Sequence, residues 1–73
     1  MKPSWKDAPE WAQWLAQDED GWWWWFESEP KLRSGGGFGC WWSWDRMLPV
    51  SGKEEPGPNW RSTLEARPCT PNT

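Results

Sequence analysis

The 73-residue chain has no histidine. That absence removes the usual base partner of a serine or cysteine nucleophile and the commonest metal ligand. With only Cys40 and Cys69, a four-ligand structural zinc site would need carboxylates to complete it. Two cysteines also fall short of a disulfide framework. No secretory signal is read at the start of the chain, so free thiols in a cytosolic setting are expected rather than a Cys40–Cys69 pair. Aliphatic side chains are nearly as scarce, with Leu15, Leu32, Leu48, Val50 and Leu64 the whole complement of leucine and valine. No apolar run approaches the length of a membrane span. Bases are outnumbered 8 to 11 by acids, for a net charge of −3. Counterion release rewards lysine and arginine, so direct, specific nucleic-acid binding is not expected and a basic protein segment is the more natural partner.

Chemical motifs are missing as well. Gly35–Gly39 lacks the Gly-Lys-Ser/Thr ending of a phosphate loop. Asp18 and Asp20 resemble a fragment of a calcium loop without its later ligands. Glu27 and Glu29 would share a strand face, like the paired carboxylates of a glycosidase, but 73 residues leave little room for an enclosing cleft. The chain therefore reads as a non-enzyme with no cofactor and no metal, monomeric when free.

Tryptophan is what the chain has in excess, 11 of its residues. A domain this small is marginal unless something reinforces its core. Each large aromatic can bury roughly 150–250 Å². Half of them would suffice for a core, and the few aliphatics cannot cover the remainder. Exposed contiguous aromatics usually mark a contact surface.

The run Gly21-Trp22-Trp23-Trp24-Trp25-Phe26 organises the rest. As a helix it would be apolar on every side. As a strand it places Trp22, Trp24 and Phe26 on one face and Trp23 and Trp25 on the other. Trp22–Glu27 is accordingly expected as a central strand covered at least partly on both faces. The larger set, Trp22, Trp24 and Phe26, is assigned to the core. Trp23 and Trp25 are assigned to a second face, which the N-terminal arm or Trp60 would partly cover. Asp18-Glu19-Asp20-Gly21 reads as a hairpin turn. Glu10–Gln17 also fits helical spacing, but its position before the turn favours a strand over Ala12–Asp18. Gly39–Asp45 is the third strand candidate, with Trp41 and Ser43 opposite Cys40, Trp42 and Trp44. A three-stranded antiparallel meander results, small and mainly β, with long irregular flanks.

The flanks are read as follows. Met1–Pro9 is an extended arm anchored by Trp5. Ser28–Phe38 is a linker ended on one side by Pro30 and loosened by Ser34-Gly35-Gly36-Gly37. Beyond Leu48, five prolines punctuate the chain. Within that part Asn59–Pro68 fits one helical turn, with Ser62-x-x-Glu65 matching a capping box and Trp60 and Leu64 spaced to dock on the sheet. Residues 1–68 form one small domain in this reading and 69–73 a disordered tail.

The pattern Trp5-x-x-Ala8-Pro9-x-Trp11-Ala12-x-Trp14-x-Ala16-x-Asp18-x-Asp20-Gly21-x-Trp23-Trp24-Trp25-Phe26-Glu27-x-x-Pro30 resembles small tryptophan-rich proteins of tailed phages. The stretch Asn59-Trp60-Arg61-Ser62-Thr63-Leu64-Glu65-Ala66-Arg67-Pro68 is similar to their C-terminal motif. Together these cover about half of the chain, while Ser34–Cys40 has no counterpart in the group. The motifs mark the group and not an activity; length and tryptophan content point within it to a transcription regulator, and likeness to that member implies binding to host RNA polymerase near the start of its β′ subunit. Inhibition of initiation through loss of the σ factor, and suppression of termination, are implied with it, in the host cytoplasm. It assigns no binding residues. From the residues alone, the partner-facing set is expected to be Asp18, Glu19, Asp20, Trp23, Trp25 and Glu27, tryptophan anchors with an acidic rim. An aromatic platform for single-stranded nucleic acid or carbohydrate is the alternative.

Overall fold

The computed structural model describes residues 2–33, 39–50 and 59–68. Gly35–Gly37, Cys69 and the tail 69–73 lie outside the described residues. Six short strands form two sheets: β1 (Trp14–Gln17), β2 (Trp23–Phe26), β3 (Lys31–Arg33), β4 (Cys40–Trp42), β5 (Met47–Pro49) and β6 (Glu65–Ala66). Two 3-10 turns, Trp5–Asp7 and Trp60–Ser62, are the only helical elements among the described residues. The mainly-β class and the C-terminal helical turn are therefore as expected.

The first hairpin follows the sequence closely. Trp14 pairs with Phe26, Leu15 with Trp25, Ala16 with Trp24 and Gln17 with Trp23. Glu19, Asp20 and Gly21 connect the strands. The Asp18 amide donates to Trp22 O (2.8 Å) and the Gly21 amide to Asp18 O (3.0 Å). Gly21 has φ 98°, where a side chain would be strained. Asp20 Oδ1 accepts from the Trp22 amide, closing the turn from the other side.

The third strand is not where the meander put it. The larger sheet has four strands in the order β5-β2-β1-β6, all antiparallel to their neighbours. β5, not the tryptophan-rich β4, lies beside β2. Its Pro49 lacks an amide hydrogen, which an edge position tolerates. β4 instead pairs with β3, inside the segment expected as linker, to make a separate two-stranded sheet. Ser62-x-x-Glu65 is not a capping box, because Glu65 has left the turn and belongs to β6. The Thr63 hydroxyl does the tying there. It accepts from the Gln17 amide (2.8 Å) and donates to Trp60 O (2.7 Å).

Two apolar clusters sandwich the larger sheet. On one face Ala12, Leu15, Trp23 and Trp25 are buried beneath Trp5, Ala8, Trp11 and Val50. Trp5 meets Trp25 at a centroid distance of 5.0 Å in a tilted pair, so the N-terminal arm does anchor as expected. On the other face Ala16 and Phe26 are buried under Trp41 and Trp60, with Trp14, Trp24, Met47 and Leu64 around them. Trp60 thus covers Phe26 rather than the Trp23–Trp25 face. Arg67 straps the two ends of the chain together. Its Nη1 reaches the carbonyls of Ala12 (2.6 Å) and Pro9 (3.2 Å), and its amide donates to Gln13 O (2.7 Å).

Candidate functional site

The expected partner face is largely inside the protein. Trp23 and Trp25 are only 7% and 3% exposed. The reason is the N-terminal arm, which lays Trp5, Ala8 and Trp11 across them. Phe26 was correctly placed in the core, but Trp22 and Trp24, on the same face, remain half-buried. The open part of the sheet is therefore the hairpin end of the Trp22–Trp24 face, the reverse of the expected assignment.

The acidic turn is also used inward. Asp18 is 7% exposed, and its Oδ1 accepts from the Trp41 amide (2.8 Å). Glu19 is exposed, yet its Oε1 accepts from the Gly39 amide (2.6 Å) while its own amide donates to Gly39 O (3.2 Å). Asp18 and Glu19 thus hold the start of β4 against the hairpin. Of the three acids, Asp20 is exposed and makes no hydrogen bond to β4 among the described residues. Glu27 lies farther along β2, 3.8 Å from Arg46 Nε in a solvent-exposed pair. Such pairs contribute little on their own.

Because β4 is held over the turn rather than beside β2, a hollow opens between them. This cavity, of about 550 Å³, is lined by Trp22 and Trp24 of the β2 side and by Cys40 and Trp41 of β4. Met47 and Pro49 of β5 close its far wall, and Asp18 and Asp20 stand at its hairpin end. A hollow of this size, mostly apolar with a few polar groups at one end, has the ordinary composition of a binding site. Trp24 Nε1 and Trp41 Nε1 are buried and have no hydrogen-bond partner among the described residues.

Burial pushes the Asp18 carboxyl up from its ordinary 3.8 to about 6, and the Asp20 charge adds to the rise. The Trp41 amide opposes it by stabilising the carboxylate. The neighbouring Trp24 indole also favours the charged form, without reaching normal hydrogen-bond geometry. The Cys40 thiol is likewise raised, first by burial and then by Asp18, so it is a weak nucleophile. No group of three or more potential metal-ligating side chains occurs among the described residues. No helix among them is long and apolar enough to cross a membrane.

Sequence reasoning assigned Asp18 and Asp20 to a partner-facing set; both line this hollow, and its other walls, Trp22, Trp24, Cys40, Trp41, Met47 and Pro49, were not singled out. The Met47-Leu48-Pro49 run was the available signal, since a short apolar stretch with proline fits an edge strand.

Comparison with protein-family models, with curated proteins and with solved structures finds no match for this chain.

Proposed function

We propose that this protein is a phage-encoded regulator that binds host bacterial RNA polymerase through the N-terminal region of its β′ subunit. In this reading it inhibits initiation by displacing the σ factor and suppresses termination during elongation. The likeness of its tryptophan and C-terminal motifs to small tailed-phage proteins, in particular the transcription regulator of a lytic Xanthomonas phage, motivates the choice of partner.

The observation that carries a protein-binding role is the tryptophan-lined hollow with Asp18 and Asp20 at one end. Tryptophan supplies large contact area, and the acidic rim suits a basic segment. A chain of this size acts by occupying a surface that σ or nascent RNA needs, and so shifts assembly by mass action.

The nucleic-acid or carbohydrate platform rests on Trp44, which is 87% exposed. Its ring meets Trp42 edge-on, at 83° and 5.0 Å, rather than offering two parallel stacking faces. That arrangement favours the protein partner over the platform. Immobilised protein incubated with host lysate, and then with purified polymerase and single-stranded DNA in competition, tests the reading. Polymerase is expected to bind tightly and DNA weakly at moderate salt. Tight, steeply salt-dependent DNA binding without polymerase would overturn it.

A further inference from the structure

We propose that the hollow between β2, β4 and β5 captures an arginine side chain of the partner protein. The proposal rests on the protein-binding reading above and assigns a place and a chemistry to it.

Three features select the occupant. The walls are apolar and aromatic, with Trp22 and Trp24 on one side and Trp41 on the other. The acidic groups at the hairpin end are the side-chain carboxyls of Asp18 and Asp20. Among the described residues, no lysine or arginine lines the hollow. An anion would meet the two carboxyls of the hairpin end, and a purely apolar side chain would leave that end unused. A long side chain with an apolar stem and a cationic head matches both halves.

Arginine fits better than lysine for a physical reason. A guanidinium is planar, stacks on indole faces, is more weakly hydrated than an ammonium, and presents donors in a fork that a carboxylate can accept. The protein already pairs these partners elsewhere: Arg46 lies over the Trp11 ring at 5.1 Å and Arg67 over the Trp5 ring at 5.6 Å. The hollow offers the same ring chemistry, with no cation among its described walls. Asp20 is the exposed carboxylate and the first to meet an incoming guanidinium. Asp18 sits deeper, with one oxygen already accepting from the Trp41 amide.

The test uses the full chain and N-acetyl-arginine amide as the probe, with N-acetyl-norleucine amide as the uncharged control at matched ionic strength. Indole N–H resonances of Trp22, Trp24 and Trp41 report on the hollow. Saturable shifts of these three with the arginine probe, and much weaker binding of the norleucine probe, are expected. Asp20→Asn should weaken the arginine probe roughly two- to fivefold, the range of an exposed ion pair, with unchanged thermal unfolding. Saturating arginine probe should lower polymerase capture, and the norleucine probe should not. Equal binding of both probes, shifts that never saturate, or arginine binding that leaves polymerase capture unchanged would each overturn the proposal. If polymerase is captured while the arginine probe does not bind, the hollow is not the docking site and the protein-binding reading stands. If the arginine probe binds as expected but polymerase is never captured, the choice of partner fails while the hollow keeps its cation chemistry.

Discussion

The Trp60 indole occupies the space where a side chain on Gly39 would stand. A Cβ at position 39 would lie 2.6 Å from Trp60 Cζ2 and closer still to Cη2. Trp60 is 7% exposed and packs over Phe26, so its ring has little freedom to retreat. The start of β4 and the C-terminal turn are therefore fitted to one another through the absence of a single methyl group.

Gly39→Ala should accordingly destabilise the fold by about 1–3 kcal/mol, the usual cost of overpacking. Chemical denaturation measures it. Pairing the change with Trp60→Leu, which shortens the opposing side chain, should make the two costs clearly less than additive. Strict additivity would show that the two residues do not share this space.

Truncation of the β2 tryptophans should separate stability from binding. Trp25 is buried against Leu15 and Trp5, so Trp25→Ala should cost about 3–5 kcal/mol and abolish cooperative unfolding in a domain of this size. Trp22 is half-buried and lines the hollow. Trp22→Ala should leave thermal unfolding nearly unchanged and weaken capture of the partner by about 2 kcal/mol or more. A folded Trp25→Ala variant would contradict the burial argument.

Asp18 makes stability depend on pH in an unusual direction. Its folded pKa, about 6, lies above the ordinary 3.8, so the native state binds the proton more tightly than the unfolded chain does. The stability it contributes is full below about pH 4 and is lost as pH rises through 6. Asp20 and Cys40 face it, and the Trp41 amide and Trp24 indole hold part of its charge. Asp18→Asn keeps an oxygen for the Trp41 amide but removes the titration. Unfolding of the two proteins from pH 4 to 7 should show the variant gaining on the parent as pH rises. A constant difference across that range would refute the assignment.

Arg67 should matter far more than its surface position suggests. Its Nη1 satisfies carbonyls of Pro9 and Ala12, and its head lies over Trp5. Arg67→Ala should cost roughly 1.5–3 kcal/mol, as expected for hydrogen bonds to a charged group. Arg67→Lys should recover only part, because an ammonium cannot reproduce the fork. Urea denaturation gives the magnitude, and faster hydrogen exchange in the Trp5–Asp7 turn would locate the loss.

The acidic turn shows how a local reading can be right in shape and wrong in use. Asp18–Gly21 reads as a turn because aspartate, glutamate and glycine suit one, and it is one. Its carboxylates were expected to meet a partner. Two of them bind the protein's own backbone, at Gly39 and Trp41, some twenty positions away in the chain. Reversing all three acids to lysine would therefore test folding and binding at once, whereas Asp20 alone tests binding.

What the sequence determined by itself is local. The unbroken aromatic run Trp22–Phe26 dictates an extended segment with rings on both faces, found as a strand over Trp23–Phe26, and the turn before it dictates an antiparallel partner, expected over Ala12–Asp18 and found at Trp14–Gln17. The mainly-β class follows from those two facts. Which face stays open was decided only by tertiary structure. Trp23 and Trp25 are chemically the same as Trp22 and Trp24. They are buried because the arm bearing Trp5, Ala8 and Trp11 crosses their side, while β4 is held back over the hairpin turn by Asp18 and Glu19. Alternation assigns side chains to faces; long-range hydrogen bonds and the path of the flanking chain decide which face is covered.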